Sequence, residues 1–271
     1  MRTAEAAGRL LRTFLLPGGS AASLKASAAH KSTPTDLVTA ADRASEALIT
    51  ERLSQARPSD GLLAEEGSRQ AGTTGLTWIV DPLDGTINFV YGLPVFGVSV
   101  ACADAEGVFV AAVHDPMRGE TFSALRGSGA WLNDQTLALD AGPSLDQALV
   151  GTGFGYASEL RLKQAGLLVA VLPAVRDIRR AGAAAIDLCW VASGRLDAYY
   201  ETGLAPWDRA GGGLVVVEAG GTIDERGDII DGATTLLAAA PGLGAGLASL
   251  LVEAATKVGR DKSRDKSRDD R

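Results

Sequence analysis

The chain has 271 residues, of which 46% are hydrophobic and 22% charged, which suits one large globular domain or two small ones. Lys and Arg total 26 against 33 Asp and Glu, a formal net charge of −7. That acidic surplus lacks the basic footprint needed for duplex nucleic acid or an anionic membrane as the main partner, but a bound metal inverts local charge and keeps an anionic substrate open.

Residues 3–16 read as a short amphipathic helix, because Arg12 and Thr13 break the apolar core a signal peptide needs. A Gly/Ser/Ala loop follows over 18–32. Thr39 reads as an N-cap with Asp42 three residues on, and Ile49, Leu53 and Ala56 at i, i+4 and i+7 predict a helix over 40–56. A strand over 76–81 is expected to stop at Pro82. Further strands are expected over 95–103, within 107–132 between glycine turns, and over 149–153. The second half alternates: helices over 158–172 and 182–193, then a strand over 195–200. Pro206 opens a helix that Gly220 and Gly221 end. Strands over 222–223 and 236–240 and a helix over 243–256 complete it.

This order predicts an α/β (α+β) fold, a layered sandwich with mixed, partly antiparallel sheets. Residues 1–256 form one domain with subdomains of about 1–145 and 146–256. Residues 257–271, KVGRDKSRDKSRDDR, hold seven Lys or Arg and four Asp and are expected to be a disordered tail. Cys102 and Cys189, each in an apolar run, read as reduced core residues of a cytoplasmic protein. His30 and His114 lack metal-ligand spacing, and no apolar run reaches membrane-spanning length.

Four acidic stretches stand out. In Asp81-Pro82-Leu83-Asp84-Gly85-Thr86, a strand delivers Asp81 and a turn follows with Asp84 three positions on. Two carboxylates so close on a rigid turn repel unless a cation lies between them, and Mg²⁺ takes oxygen ligands of this kind. The N–H groups after Gly85 open a helical turn and suit an anion. Glu65-Glu66 before Gly67, Asp208 after Pro206-Trp207, and Asp42 in a first turn are each, taken alone, ordinary solvated or dipole-satisfying carboxylates.

Together the stretches resemble the inositol monophosphatase family of Mg²⁺-dependent, lithium-sensitive phosphomonoesterases. The resemblance is carried by Trp78-Ile79-Val80-Asp81-Pro82-Leu83-Asp84-Gly85-Thr86-Ile87-Asn88-Phe89 and by Trp207-Asp208-Arg209-Ala210-Gly211-Gly212 running to Glu218-Ala219-Gly220-Gly221. Asp36-Leu37-Val38-Thr39-Ala40-Ala41-Asp42 and Ala64-Glu65-Glu66-Gly67-Ser68 also fit, so it spans roughly residues 30–240. It implies an αβαβα sandwich of the sugar-phosphatase type and two to three Mg²⁺ per site. Glu65, Asp81 and the Leu83 carbonyl would hold a first ion, Asp81, Asp84 and Asp208 a second, and Glu65 a third, mostly hydrated one. Thr86 and Asp42 would orient the attacking water, and the Gly85 and Thr86 N–H groups would bind phosphate. Asp84, Ala184 and Glu201 would contact the alcohol. Lys31 near the mouth and Glu66 beside the metals are lesser candidates.

The reaction so implied is hydrolysis of myo-inositol 1-phosphate and related polyol monophosphates by metal-activated water. Histidinol phosphate, fructose bisphosphate or adenosine bisphosphate are alternative substrates, and a non-enzymatic regulatory binding protein is the alternative class. Ala183 stands where the family often has a Ser or Thr hydroxyl, which loosens the substrate assignment. The resemblance also implies a homodimer with a small phosphomonoester as its partner, while the acidic balance predicts no nucleic-acid or membrane partner.

Overall fold

A computed structural model describes residues 1–15, 25, 28–30, 37–230 and 232–269, with His30, Leu37 and 258–269 described by backbone alone. In chain order the first half comprises α1 (Arg2–Phe14), β1 (Ala29–His30), β2 (Leu37–Val38), α2 (Ala40–Ala56), β3 (Gly61–Ala64), β4 (Arg69–Gln70), β5 (Thr77–Asp84) and α3 (Thr86–Tyr91). A meander follows: β6 (Gly97–Asp104), β7 (Gly107–Asp115), β8 (Glu120–Leu125), β9 (Gly129–Leu132) and β10 (Gln135–Leu137). Strands β1 and β2 pair antiparallel by themselves, and β3 to β10 make an eight-stranded sheet, β10-β9-β8-β7-β6-β5-β3-β4, parallel only between β3 and β5.

The second half comprises β11 (Leu149–Thr152), α4 (Ser158–Val171), β12 (Asp177–Arg179), α5 (Ala184–Ala192), β13 (Ala198–Thr202), α6 (Pro206–Glu218), β14 (Thr222–Ile230), β15 (Ala233–Ala239) and α7 (Gly244–Asp269). Its sheet runs β12-β11-β13-β15-β14, with β11 parallel to both neighbours and the rest antiparallel.

Three cores hold five layers together, the middle one filling both faces of the central helix layer. Ala4, Leu11, Ile49, Val80 and Phe89 pack α1 and α2 on one face of the large sheet. Val113, Phe122, Ile186, Leu188, Tyr199 and Val215 seal α5 and α6 between the two sheets. Val150, Leu167, Leu237, Leu247 and Leu251 hold α4 and α7 on the outer face of the small sheet. The order is αβαβα, as the resemblance implies.

Several boundaries differ from the sequence expectation. Pro82 does not stop β5, which runs on to Asp84, because the register against β6 breaks between Asp81 and Asp84. A proline costs nothing where no ladder N–H is required. Strand β14 reaches Ile230 instead of ending near 223. The backbone of α7 continues to Asp269, through the segment expected to be disordered; Lys and Arg, which fill that segment, are good helix formers.

The middle layer depends on glycine. At Gly212 in α6 a Cβ would lie 2.6 Å from Leu188 Cβ and 3.0 Å from the Ala185 carbonyl oxygen, whereas Gly213 faces open space. Gly213→Ala therefore gains the helix-propensity difference, about 0.8–1.0 kcal/mol. Gly212→Ala gains the same term but must push α5 away, an overpacking cost of roughly 1–3 kcal/mol. Urea unfolding is expected to show Gly213→Ala more stable than the parent and Gly212→Ala less stable. Equal effects at the two positions would contradict this packing.

Candidate active site

The break at the end of β5 places both motif aspartates. Asp81 is 1% exposed, and its Oδ1 accepts the Leu83 N–H at 3.0 Å. Asp84 reaches across to the second half of the chain, where its oxygens accept the N–H groups of Ala184 (3.0 Å) and Ala185 (2.8 Å). These are orphan donors of the first turn of α5. The N-cap residue of α5 is Ala183, which has no capping side chain, so an aspartate from another strand does the capping. Gly85 follows with φ +87°, and a Cβ there would meet the Val95 carbonyl oxygen at 3.0 Å and Ala183 Cβ at 3.1 Å. Only glycine fits both the left-handed backbone and the close approach.

Helix α2 locks this turn from the other side. Asp42, fully buried, uses Oδ2 to accept the Thr39 N–H at 2.8 Å, while the Thr39 hydroxyl accepts from Ala41 and Asp42. The capping box read from the sequence is thus present. The second oxygen, Oδ1, lies 2.9 Å from Thr86 Oγ1, which is also 3.1 Å from the Leu83 carbonyl oxygen. The hydroxyl has one proton, and a carboxylate accepts it more strongly than an amide carbonyl. Ser45, one turn along α2, donates to the Pro82 carbonyl at 2.7 Å.

The remaining acids come from three other elements. Glu65 follows β3, with its N–H donated to the Val80 carbonyl at 3.2 Å. Asp208 sits in the first turn of α6 and accepts the Ala205 N–H at 2.7 Å. Glu201, on β13, accepts from the Tyr199 hydroxyl, and its carboxylate fills the space where Gly153 lacks a side chain. Glu65, Asp84, Gly85, Ala184, Glu201 and Asp208 line one cleft of about 370 Å³. A larger hollow of about 880 Å³ beside Met1, Trp78 and Trp131 gathers no such set of acids.

Electrostatics mark the cleft as a place where negative charge has been concentrated. Burial pushes the Asp81 carboxyl well above the usual range, and Glu65, Asp84 and Asp208 push it further, with Glu65 close enough to hydrogen-bond it. Burial lifts Asp84 to about 7 against the restraint of the α5 N–H groups. Asp208 is raised well above its ordinary value by burial and then by Asp84. Among the described residues no group of three or more His, Cys, Asp and Glu side chains is placed to hold a metal ion as it stands. Asp84 and Asp208 turn oxygens to backbone N–H groups, and Asp81 meets Glu65 carboxyl to carboxyl. The donor chemistry still fits a hard divalent cation: every donor is an oxygen, and the mutual repulsion is what a cation relieves.

Residues 2–256 match the family model described as the Inositol monophosphatase family. The chain belongs to that family. It is 47% identical over 233 residues to a protein named inositol-1-monophosphatase from Mycobacterium leprae, covering 82% of this chain and 80% of that one. It is 43% identical over 190 residues to a protein named Nus factor SuhB from Haemophilus influenzae, covering 69% and 71%. The solved structure of Mycobacterium tuberculosis SuhB superposes with a TM-score of 0.78 at 37% identity, covering 93% of this chain and 94% of that one. Inositol monophosphatase family members are metal-dependent phosphatases, and this chain is a phosphatase of that family. No helix among the described residues is long and apolar enough to cross a membrane.

Within this inositol monophosphatase fold, most of the expected residues converge: Asp42 with Thr86, Glu65 with Asp81, Asp84 and Asp208, and Ala184 with Glu201 along the cleft. Glu66 does not line the cleft; its N–H is tied to the buried Glu46, which also accepts from Ser68 at 3.0 Å. Lys31 lies outside the described residues. Sequence reasoning missed Asp187, buried in α5, one oxygen of which has no hydrogen-bond partner. Its carboxyl is raised by burial, then by Asp84 and Glu201. The available signal was a lone acid in the apolar run 182–190. It also missed Arg180, on the cleft wall, and Asn88, which donates to Val95 (2.7 Å) and Ala181 (2.8 Å).

Proposed function

We propose that this chain is a Mg²⁺-dependent phosphomonoesterase that hydrolyses inositol monophosphate and related polyol monophosphates. The observation that carries the reading is the buried Asp42–Thr86 hydrogen bond, held rigidly beside four mutually repelling carboxylates. Glu65, Asp81, Asp84, Asp208 and the Leu83 carbonyl would hold two to three Mg²⁺. Bound there, the ions neutralise the phosphoryl oxygens, acidify water and stabilise the leaving alkoxide.

The rest is work for the chain's own atoms. The Thr86 hydroxyl donates its hydrogen bond to Asp42 Oδ1, so the threonine oxygen is left to accept from the attacking water and hold it in line. The first N–H groups of α3, at Gly85 and Thr86, lack intrahelical partners and hydrogen-bond the phosphoryl group. Glu201 and Asp84 accept from hydroxyls of the departing alcohol, and the Ala184 backbone lines that end. Ala183, buried at the start of α5, offers no side-chain hydroxyl, so recognition of the alcohol falls to the carboxylates. The reading extends to the lithium sensitivity, homodimer and cytoplasmic setting that the resemblance implies.

The test is a panel: myo-inositol 1-phosphate, histidinol phosphate, fructose 1,6-bisphosphate and adenosine bisphosphate, with Mg²⁺ titration and lithium inhibition. The highest kcat/KM is expected for the inositol ester, with no turnover in EDTA. A clear preference for histidinol phosphate overturns the substrate assignment while keeping the chemistry. A binding-only role has one point in its favour, the relatives named Nus factor. It requires that the unaltered protein turn over no phosphomonoester and that Asp84→Asn retain its partner.

A further inference from the structure

Helix α2 sends three neighbouring side chains, Asp42, Ser45 and Glu46, to three pieces of the site. Asp42 meets Thr86, Ser45 donates to the Pro82 carbonyl, and the buried Glu46 reaches the turn that follows β3. There Glu46 Oε2 accepts the Glu66 N–H at 2.7 Å, and Oε1 accepts the Ser68 N–H at 3.0 Å. Both oxygens are thus engaged by the backbone of one turn, Glu65-Glu66-Gly67-Ser68. A carboxyl group is costly to bury unless it is hydrogen-bonded in this way, and no step of the chemistry above uses it.

The clamped turn lies at a weak margin of the fold. It leads into β4, the edge strand of the large sheet, which is two exposed residues long. The turn is closed by the Ala64 N–H on the Ser68 carbonyl at 3.0 Å. Its first residue is Glu65, the acid that lines the cleft and reaches Asp81. The Glu65 N–H donates to the Val80 carbonyl at 3.2 Å, which ties that residue to β5. The residues after it are tied to α2 through Glu46. Glu65 therefore leaves the sheet between two anchors, one on β5 and one on α2.

We infer that Glu46 is a positioning residue: by clamping the Glu66 and Ser68 N–H groups it sets Glu65 against the 81–86 turn, and so sets the affinity for the ion that Glu65 would hold. The inference rests on the metal-dependent reading above. The same helix holds Thr86 through Asp42 and the Pro82 carbonyl through Ser45, so one rigid element spaces the two acid-bearing turns. Mg²⁺ demands near-ideal octahedral geometry, so a carboxylate of intact chemistry in the wrong place still costs affinity. Glu46 acts through the backbone that carries Glu65, with both of its own oxygens already engaged.

The experiment compares Glu46→Gln and Glu46→Asp with the parent. Glutamine keeps the shape, but its oxygen accepts one N–H while its amide nitrogen, a donor, faces the other. Aspartate keeps the charge but is too short to reach both N–H groups. Calorimetric titration with Mg²⁺ is expected to show Kd raised about 10- to 100-fold in both variants, the range for groups that orient metal ligands. The Mg²⁺ needed for half-maximal turnover of myo-inositol 1-phosphate should rise in step, with kcat at saturating Mg²⁺ close to the parent's. In the metal-free variants, amide hydrogen exchange should quicken at Glu66 or Ser68 and stay unchanged in β5. A merely structural Glu46 would lower stability in urea and leave the Mg²⁺ Kd at the parent value, which overturns the inference. A parent-like Kd in Glu46→Asp alone would mean that Glu46 acts by its charge, and unchanged exchange at both amides would mean that it clamps nothing; either overturns it. A parent that binds no Mg²⁺ removes the metal-dependent reading and this inference together. A parent that binds Mg²⁺ no better than Glu46→Gln removes the inference alone.

Discussion

Asp81→Asn is expected to lower Mg²⁺-dependent kcat/KM by at least about a thousandfold, the scale of several kcal/mol that metal charge contributes to such a transition state. The same change is expected to stabilise the metal-free protein. Asp81 is buried against Glu65, with Asp84 and Asp208 close enough to raise it further. An asparagine keeps the oxygen that accepts the Leu83 N–H and removes one charge from the cluster. Asp84 fixes the sign of the pH dependence. Burial pushes its carboxyl from the ordinary 3.8 up to about 7 in the fold. As pH rises through that window the unfolded chain releases the proton while the folded chain retains it, so stability falls until the folded group ionises near 7. Asp81 is shifted in the same direction. Melting in EDTA from pH 4 to 8 should show Asp81→Asn gaining on the parent as pH rises, and saturating Mg²⁺ should reverse that order. A variant that turns over normally would mean that Asp81 is not a metal ligand, and one that melts below the parent in EDTA at pH 8 would mean that Asp81 is not destabilised by the acids around it.

Local chemistry was legible in the sequence, and long-range packing was not. The Thr39 cap, the Asp42 position and the turn through Asp84-Gly85-Thr86 each depend on residues within a few positions of one another, and all stand where the pattern put them. Pro82 misled because a strand can continue past a proline at a register break, and the sequence does not announce the break. Strand β14 was cut short for a different reason. It is the sheet edge, mostly exposed over Thr222–Asp228, with Asp224, Glu225, Arg226 and Asp228 in place of apolar alternation. Charges of that kind keep an edge from pairing with other chains, and they also erase the periodic signal. Glu46, Asp187 and Arg180 escaped because each is defined by surroundings far along the chain: the 66–68 loop, the repelling Asp84 and Glu201 carboxylates, and the cleft wall. Asp84 shows both sides of this. Its motif identified it as an acid of the site, but nothing near it in sequence suggested that it would cap α5 about a hundred residues away.

Asp42 does two jobs with two oxygens, and substitutions around it are expected to separate them. Thr39→Ala removes the hydroxyl that caps α2 and should cost roughly 0.5–2 kcal/mol of stability, with kcat close to that of the parent because Oδ1 still faces Thr86. Thr86→Ala does the reverse. It removes the group that orients water, and kcat should fall by about a hundredfold or more, within the range of a positioned proton-handling group. Thr86→Ser keeps a hydroxyl and should recover most of that loss. Asp42→Asn is the sharper case. The Thr39 N–H requires an acceptor, so the amide oxygen must take the place of Oδ2 and the amide nitrogen must face Thr86. The nitrogen donates, so the Thr86 oxygen spends a lone pair accepting from it and turns its own proton toward the Leu83 carbonyl, 3.1 Å away. The hydrogen bond reverses direction while the fold is kept: the Thr86 oxygen has one lone pair fewer for the water, and the Leu83 carbonyl spends one of its own on the Thr86 proton. Steady-state kcat at saturating Mg²⁺ should then place Asp42→Asn with Thr86→Ala, and urea unfolding should place it within about 1 kcal/mol of the parent. If Asp42→Asn retains full kcat, the proton on Thr86 does not point to Asp42 during turnover, and the water must be oriented by another group.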